Sequence, residues 1–377
     1  MSKRANGEGS IYKRKDGRWA AALSYVDDNG KTVRRTVYGK TQAEARAKLR
    51  EARDRVEAGE PVKDSAMTTA AWLAEWAAGA LAASDRKQAT KDLYATIARV
   101  HLMPTIGMRK LSALRPSDVE ALVVERRASG LSTSTVRQIY TVLRSALDVA
   151  VRDGLVRRNV AALVPRPSVE RTEAKFLTRE QAGALLSALH GERIEPIVRL
   201  MLATGLRRGE ALGLHWRDVD LDAGSLRVRW TLSRTSAGLR LGEPKTEQSR
   251  RTIPLPGAAV TALRAHRATQ LAERLAAGPS WTDSDLVFAT EVGTPLEPRN
   301  VLRRFTTVAN TAGLEGIGLH TLRHSAASFL LAMGASTKVA QVHLGHANYS
   351  ITADTYSHVT PGLAREAADL LNLAIDW

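Results

Sequence analysis

The stretch Gly318–Val359, GLHTLRHSAASFLLAMGASTKVAQVHLGHANYSITADTYSHV, holds five of the nine histidines of the chain: His320, His324, His343, His346 and His358. Arg323 and Tyr356 stand among them. Apolar residues at 322, 326, 329, 330 and 333 give Leu319–Met333 helical spacing, and Gly334 is a stop signal. On such a helix His320 and Arg323, three apart, share a face. Ser336 is placed to cap a second short helix to Leu344, after which Gly345 turns the chain at His346. Tyr356 follows in a short segment that starts at Ser350. Phosphate-binding groups beside a phenol point to phosphoryl transfer on DNA.

Working outward, a chain of 377 residues is too long for one ordinary core and implies two or three domains. Its 55 Lys and Arg against 39 Asp and Glu give +16, which favours a polyanionic partner, nucleic acid first, over the plainer reading of a merely soluble basic protein. The absence of cysteine excludes disulfides, thiolate zinc sites and a cysteine nucleophile. No apolar run reaches spanning length, and MSKRANGEGS lacks the apolar core of a signal peptide. The expected compartment is the cytoplasm.

Ser10–Arg14, Arg18–Val26 and Lys31–Tyr38 read as strands, joined at Asp16-Gly17 and Asn29-Gly30, both type I′ hairpin signals. Thr41-Gln42-Ala43-Glu44 is a capping box for a helix ending at Gly59. These elements make a first domain over residues 1–62. Its strands carry Arg14, Arg18, Arg34 and Arg35, which suit a sheet lying in a DNA groove or, equally, a solvated face. Residues 61–66 read as a linker, and 67–165 as a wholly helical second domain. There Trp72, Leu73 and Trp76 form one apolar face, and Leu93, Ile97, Val100 and His101 another. Ser117-Asp118-Val119-Glu120 opens a helix to Gly130, and Ser132 or Thr133 one to Gly154. Arg137 and Arg144 on the latter are candidate phosphate contacts, although such stripes are usually just solvated. After a linker ending at Glu173, a third domain spans 175–377. Thr178 and Gln181 cap a helix to His190, a second runs from Glu192 to Thr204, and strands follow at Leu226–Leu232 and Arg250–Leu255.

Taken singly, these pieces have plainer readings. Thr204–Glu210 is an ordinary helical corner, Lys245 is a surface residue, and Tyr356 packs. His320 and His324 at i, i+4 have zinc-ligand spacing, but no carboxylate stands with them and Arg323 disfavours a cation.

Together they resemble the tyrosine recombinase family, and within it the phage-type integrases. The matching segments are ATGLRRGEALGL (203–214), PKTEQSRRTIPL (244–255), HTLRHSAASFLLAMG (320–334) and LGHANYSITADTYSHV (344–359), in the order of the family. The resemblance implies a multidomain, mainly α fold with small antiparallel β-sheets: an arm-binding sheet module, a helical core-binding domain and a mainly helical catalytic domain. It further implies that Arg207 and Arg323 grip the scissile phosphate. Lys245 would be the hairpin lysine, His320 the first histidine of HxLRH, His346 the second histidine, Tyr356 the nucleophile and Glu210 a supporting carboxylate. His324, within the same motif, is as readily a packing or DNA-contact residue. The resemblance also implies double-stranded DNA as the partner, bound by a homotetramer, with a host DNA-bending protein and a directionality factor as accessories in the nucleoid of a bacterial cytoplasm.

The residue types suit this chemistry. Tyrosine, with a reference pKa of about 10, is a weak nucleophile at neutral pH. Attack on a phosphodiester loads charge onto two oxygens that guanidinium forks hold bidentately. Two arginines and His346 then supply the electrostatics a metal supplies elsewhere. Lys245 is a suitable acid for the leaving 5′-oxygen, while His320 either accepts the phenol proton or holds the phosphate. A 3′-phosphotyrosyl bond retains the energy of the broken link, so neither ATP nor a cofactor nor a metal is implied. Two other classes compete: a histidine-rich metal phosphoesterase and a catalytically idle DNA-binding regulator. The tail from Pro361 to Trp377 resembles a terminal helix that packs on its own chain or a neighbour.

Overall fold

The computed structural model describes residues 10–26, 32–57, 67–169, 175–244 and 249–345. The chain divides into two compact units, Met1–Glu170 and Arg171–Trp377.

In the first unit, β1 (Ser10–Lys13), β2 (Trp19–Val26) and β3 (Thr32–Gly39) form an antiparallel sheet with β2 central. The helix α1 (Gln42–Glu57) packs on one face, where Ala21 and Leu23 meet Ala45, Leu49 and Ala52. The capping box forms with a shift: Glu44 N–H donates to Thr41 Oγ1 at 3.1 Å, while its carboxylate accepts from Lys40 N–H rather than from Thr41. The Asp16-Gly17 turn differs from the expected two-residue type I′ loop. Arg14 N–H bonds Arg18 O at 2.8 Å and Gly17 alone is left-handed (φ 82°), so the loop has three residues, Lys15–Gly17. Asp16 anchors this wider loop by accepting from Arg18 N–H and guanidinium. Asn29-Gly30 lies outside the described residues.

The rest of this unit is helical: α2 (Thr69–Trp76), α3 (Gln88–Ile97), α4 (Met103–Ile106), α5 (Pro116–Ala128) and α6 (Thr133–Arg152). Trp72, Leu73 and Trp76 enter its core, and the indole N–H of Trp72 donates to Ala146 O at 3.1 Å. On the second expected face Ile97 is buried, but Leu93 and Val100 are exposed. A π-helical turn at Ala98–Leu102 rotates the register there, which the regular 3.6 spacing did not anticipate. Ser132 caps α6 as expected, but α5 starts two residues earlier than a Ser117 cap would place it. Arg115 is the N-cap, Pro116 takes the first helical position, and Asp118 accepts from Arg115 N–H at 3.0 Å.

The second unit starts with α7 (Arg179–Ala188), whose box is reciprocal between Thr178 and Gln181, followed by α8 (Glu195–Thr204) and α9 (Arg208–Leu212). The strands β4 (Val219–Asp220), β5 (Ser225–Arg227), β6 (Thr231–Thr235), β7 (Gly238–Gly242) and β8 (Thr252–Pro254) form two antiparallel sheets, β4-β5-β8 and β6-β7. The single strand expected over Leu226–Leu232 is therefore two, serving different sheets. Then come α10 (Gly257–Ala277), α11 (Pro298–Thr311), α12 (Leu319–Ala332) and α13 (Thr337–Leu344). A core of α7, α8, α11 and α12 side chains with β5 and β8 surrounds Phe288 and Phe305. Among the described residues no helix is long and apolar enough to cross a membrane.

Candidate active site

The site forms where three chain turns meet: the α8–α9 corner, the buried face of α12 and the C-terminal end of α13. Thr204 closes α8 and Gly205 turns the chain in the left-handed region (φ 63°). A Cβ on Gly205 would stand 2.4 Å from a Leu344 methyl, so glycine here serves both the turn and the seating of α13. Arg207 is the N-cap of α9, and Glu210 three residues on reaches back to accept Arg207 N–H at 3.1 Å. That local geometry brings the Glu210 carboxylate under its own N-cap, where Oε1 also accepts from the Arg207 guanidinium at 2.7 Å. Gly209 lets β6 approach, since a Cβ there would meet Thr231 Oγ1 at 2.5 Å.

Arg323 is the bulkiest fully buried side chain, 1% exposed. It donates to Gly205 O and to Leu344 O, each at 2.7 Å, tying α12 to both of the other turns. Arg207 reaches the next carbonyl, Gly345 O, at 3.4 Å. The preceding one, His343 O, takes the Nε–H of Arg251 at 2.9 Å. Three guanidinium groups thus hold three successive carbonyls at the C-terminal end of α13. This end carries the negative pole of the helix, so the arrangement is electrostatically favourable as well as directional. Arg251 also donates to Glu210 Oε2 at 3.3 Å, making Glu210 a buried bridge between two cations. Burial alone would raise the Glu210 carboxyl, but the charges of Arg251 and Arg207 outweigh it and hold it below the ordinary carboxylate value.

His320 and His324 lie one turn apart on α12 with their rings edge to face, 4.8 Å between centroids. Desolvation, followed by the Arg323 and Arg207 charges, lowers the His320 pKa from its ordinary value. Desolvation with the neighbouring His320 and Arg323 takes His324 down to about 4. Both environments favour the uncharged ring. Among the described residues no group of three His, Asp or Glu side chains is placed to hold a metal ion.

Of the residues expected from sequence, Arg207, Glu210, His320, Arg323 and His324 come together here. Lys245, His346 and Tyr356 lie outside the described residues, as does the 361–377 tail. The described chain ends at Gly345, adjacent to His346. Arg251 and His343 were not singled out from sequence. The signal for Arg251 was the Arg250-Arg251 pair entering an apolar strand, one exposed and one directed inward. Desolvation, then the charges of Arg251 and Arg323, keeps the His343 pKa low.

The remaining candidates are dispersed. On the sheet face away from α1, Tyr12 and Tyr38 pair with Ala20 from either side, and the Arg14 guanidinium lies 5.2 Å from the Tyr38 ring centre. Arg34, opposite Ser24, shares this face, while Arg18 projects beside the loop and Arg35 pairs with Leu23 in β3. Arg137 and Arg144 sit seven apart on α6 and so on one side, with Arg144 exposed and Arg137 half-buried.

Residues 175–362 match the sequence pattern of the Phage integrase family. The chain is 30% identical over 367 residues to a tyrosine recombinase XerC-like protein of Caldanaerobacter subterraneus subsp. tengcongensis, across 92% of this chain and 93% of that protein. It is 33% identical over 370 residues to an integrase of Streptomyces ambofaciens, across 94% and 93% respectively. In fold it resembles the Tn1549 transposon integrase in complex with a circular intermediate DNA (TM-score 0.66, 22% identity, 81% of this chain and 100% of that one). It also resembles a lambda integrase tetramer bound to a Holliday junction (TM-score 0.59, 18% identity, 94% of this chain and 96% of that one).

Proposed function

As a member of the phage integrase family of tyrosine recombinases, the chain is a site-specific DNA recombinase, and we propose that it cuts DNA by attack of Tyr356 on a phosphodiester held by Arg207 and Arg323. The observation that carries these roles is the convergence of both guanidinium groups on the carbonyls of Leu344 and Gly345, next to the segment that bears His346 and Tyr356. Arg207 reaches Gly345 O at only 3.4 Å and keeps the rest of its five-donor fork for Glu210 and a phosphate oxygen. Arg207 is 38% exposed in its side chain and supplies the accessible edge, while Arg323, buried, fixes the turns beside it.

In this reading the phenol oxygen forms a bond to phosphorus as the bond to the 5′-oxygen breaks. The phenol proton passes to His320, whose lowered pKa keeps it an available acceptor at neutral pH. Lys245 gives a proton to the leaving oxygen, and His346 adds a donor to the phosphate. Glu210 orients Arg207. A 5′-hydroxyl from another strand then reverses the step, so the exchange runs without ATP or a metal.

We assign residues 1–62 to arm-site binding, 67–165 to core-site binding and 175–377 to catalysis. Arg14, Arg18, Arg34 and Arg35 on the sheet and Arg137 and Arg144 on α6 are the DNA contacts of the first two, with His324 a further candidate beside the site. The lambda integrase tetramer on a Holliday junction supports a homotetramer as the working assembly. Integration of a mobile or viral genome in the bacterial cytoplasm, with a host DNA-bending protein and a directionality factor, completes the reading.

The test is Tyr356→Phe on a nicked core-site duplex, run in chelator and resolved on a denaturing gel. Wild type should give protein-linked DNA; the variant should bind the duplex equally and give none. A variant that still forms the adduct removes Tyr356 as nucleophile and points to Tyr349 or Tyr12. Cleavage that requires a divalent ion and leaves no adduct favours the metal phosphoesterase, and binding without cleavage by wild type the idle regulator.

A further inference from the structure

We infer that Arg251 is a positioning residue for strand cleavage: by occupying one oxygen of Glu210 and the His343 carbonyl, it keeps the Arg207 guanidinium turned toward the scissile phosphate. The inference rests on the proposed phosphate-binding role of Arg207 and adds a residue to it.

The geometry divides the Glu210 carboxylate between its neighbours. Oε1 takes the Arg207 guanidinium at 2.7 Å. Oε2 takes the Arg207 backbone N–H at 3.1 Å and Arg251 at 3.3 Å. With Oε2 engaged twice, Arg207 cannot close its planar fork on both oxygens, the geometry that guanidinium and carboxylate otherwise prefer. Its other terminal nitrogen is left toward Gly345 O. Without Arg251, Oε2 loses one of two donors and its main counter-charge, and the Arg207 fork is free to swing onto the carboxylate. The guanidinium would then face Glu210 instead of a phosphate.

Burial makes this arrangement exacting. The Arg251 side chain is 8% exposed and that of Glu210 4% exposed, so water cannot replace a lost partner. Arg251 is fixed at its far side too, donating from Nε to His343 O at 2.9 Å and from Nη1 to Ser249 O at 3.2 Å. It therefore sits between the strand side of the site and the end of α13, with Nε, Nη1 and Nη2 each given to a protein acceptor.

Arg251→Gln, Arg251→Lys, Glu210→Gln and the Glu210→Gln/Arg251→Gln double variant of the full chain test this, with Arg207→Lys alongside. Each is measured for core-site affinity, thermal midpoint and rate of covalent adduct formation on the nicked duplex. Arg251→Gln should bind DNA within about threefold of wild type but form adduct on the order of 10–100-fold more slowly, the scale of a misplaced catalytic group. Arg251→Lys keeps the charge and should recover part of that loss. In the Glu210→Gln background Arg251→Gln should cost no more than about twofold, because the group it restrains no longer competes for Arg207. A purely structural arginine would instead cost the same in both backgrounds, and that result overturns the inference. So does a wild-type adduct rate in Arg251→Gln while Arg207→Lys is impaired. If Arg207→Lys itself cleaves at the wild-type rate, the phosphate role of Arg207 fails, and the positioning role with it. Should Arg251→Gln fail to fold, the lysine variant decides: a rate equal to wild type at unchanged affinity counts against positioning.

Discussion

Lysine carries the charge of arginine but not its fork, and both proposed phosphate arginines use theirs in two directions. Arg323 spans Gly205 O and Leu344 O, and Arg207 spans Glu210 and Gly345 O, spans that one ammonium cannot reproduce. Arg207→Lys and Arg323→Lys should each slow adduct formation by an amount equivalent to on the order of 2–4 kcal/mol, the usual loss when a donor to a developing oxyanion is removed. Because Arg323 is buried, its variant should also melt earlier, whereas Arg207→Lys should melt near wild type. Arg208→Lys, one residue from the cluster, is the control and should cleave almost normally. Equal rates in wild type and both variants would dismiss the assignment. At this scale the sequence was informative where a motif fixed both residue type and spacing, as for Arg207, Glu210 and the HxLRH group. It was silent on Arg251, whose partners Glu210 and His343 lie 41 and 92 residues away and follow from tertiary contact alone.

Helix ends were legible for a local reason: a cap is decided by three or four neighbouring residues. Ser132, Thr178 and Ser336 all cap as their sequence context predicts, and Gly205, Gly334 and Gly345 all adopt positive φ. Strands were less so. The split of Leu226–Leu232 between two sheets depends on β8, far along the chain, claiming Leu226 while β7 claims Leu232. The π turn at Ala98–Leu102 likewise has no mark in residue spacing. The junction of α8 with α13 gives the element-scale prediction. Gly205→Ala forces a side chain into the left-handed region and against Leu344, so it should destabilise by about 1–3 kcal/mol and slow cleavage through the displaced end of α13. Gly183→Ala, within α7 and with open space around its Cβ, should stabilise by about 0.5–1 kcal/mol. Calorimetry on the two variants should show midpoints moving in opposite directions; a shared direction would mean that the Leu344 contact is unimportant.

Across the whole molecule, the apolar cluster under the N-terminal sheet shares no residue with the one at the centre of α2–α6, so the sheet module has a core of its own. A fragment from Asp64 to Trp377 should therefore fold, bind a core site and form the covalent adduct, yet fail to integrate for want of arm-site binding. Full integration by the fragment would make the sheet dispensable, and failure to cleave a nicked core site would misplace the boundary. With a formal charge of +16, the full chain should lose DNA affinity steeply as salt rises. The cluster at the end of α13 stands apart from that rule. Three guanidinium groups crowded into an empty niche would depend on anions from solution to stay together. Here the terminal carbonyls of a helix and one buried carboxylate act as a resident counter-ion, neutralising the crowd from within. Charge has already been gathered when the protein folds, so a phosphate bound as proposed would meet donors that are in place and owe nothing to their assembly. Salt that strips the protein from its DNA should leave this cationic niche intact, since its counter-charges are buried.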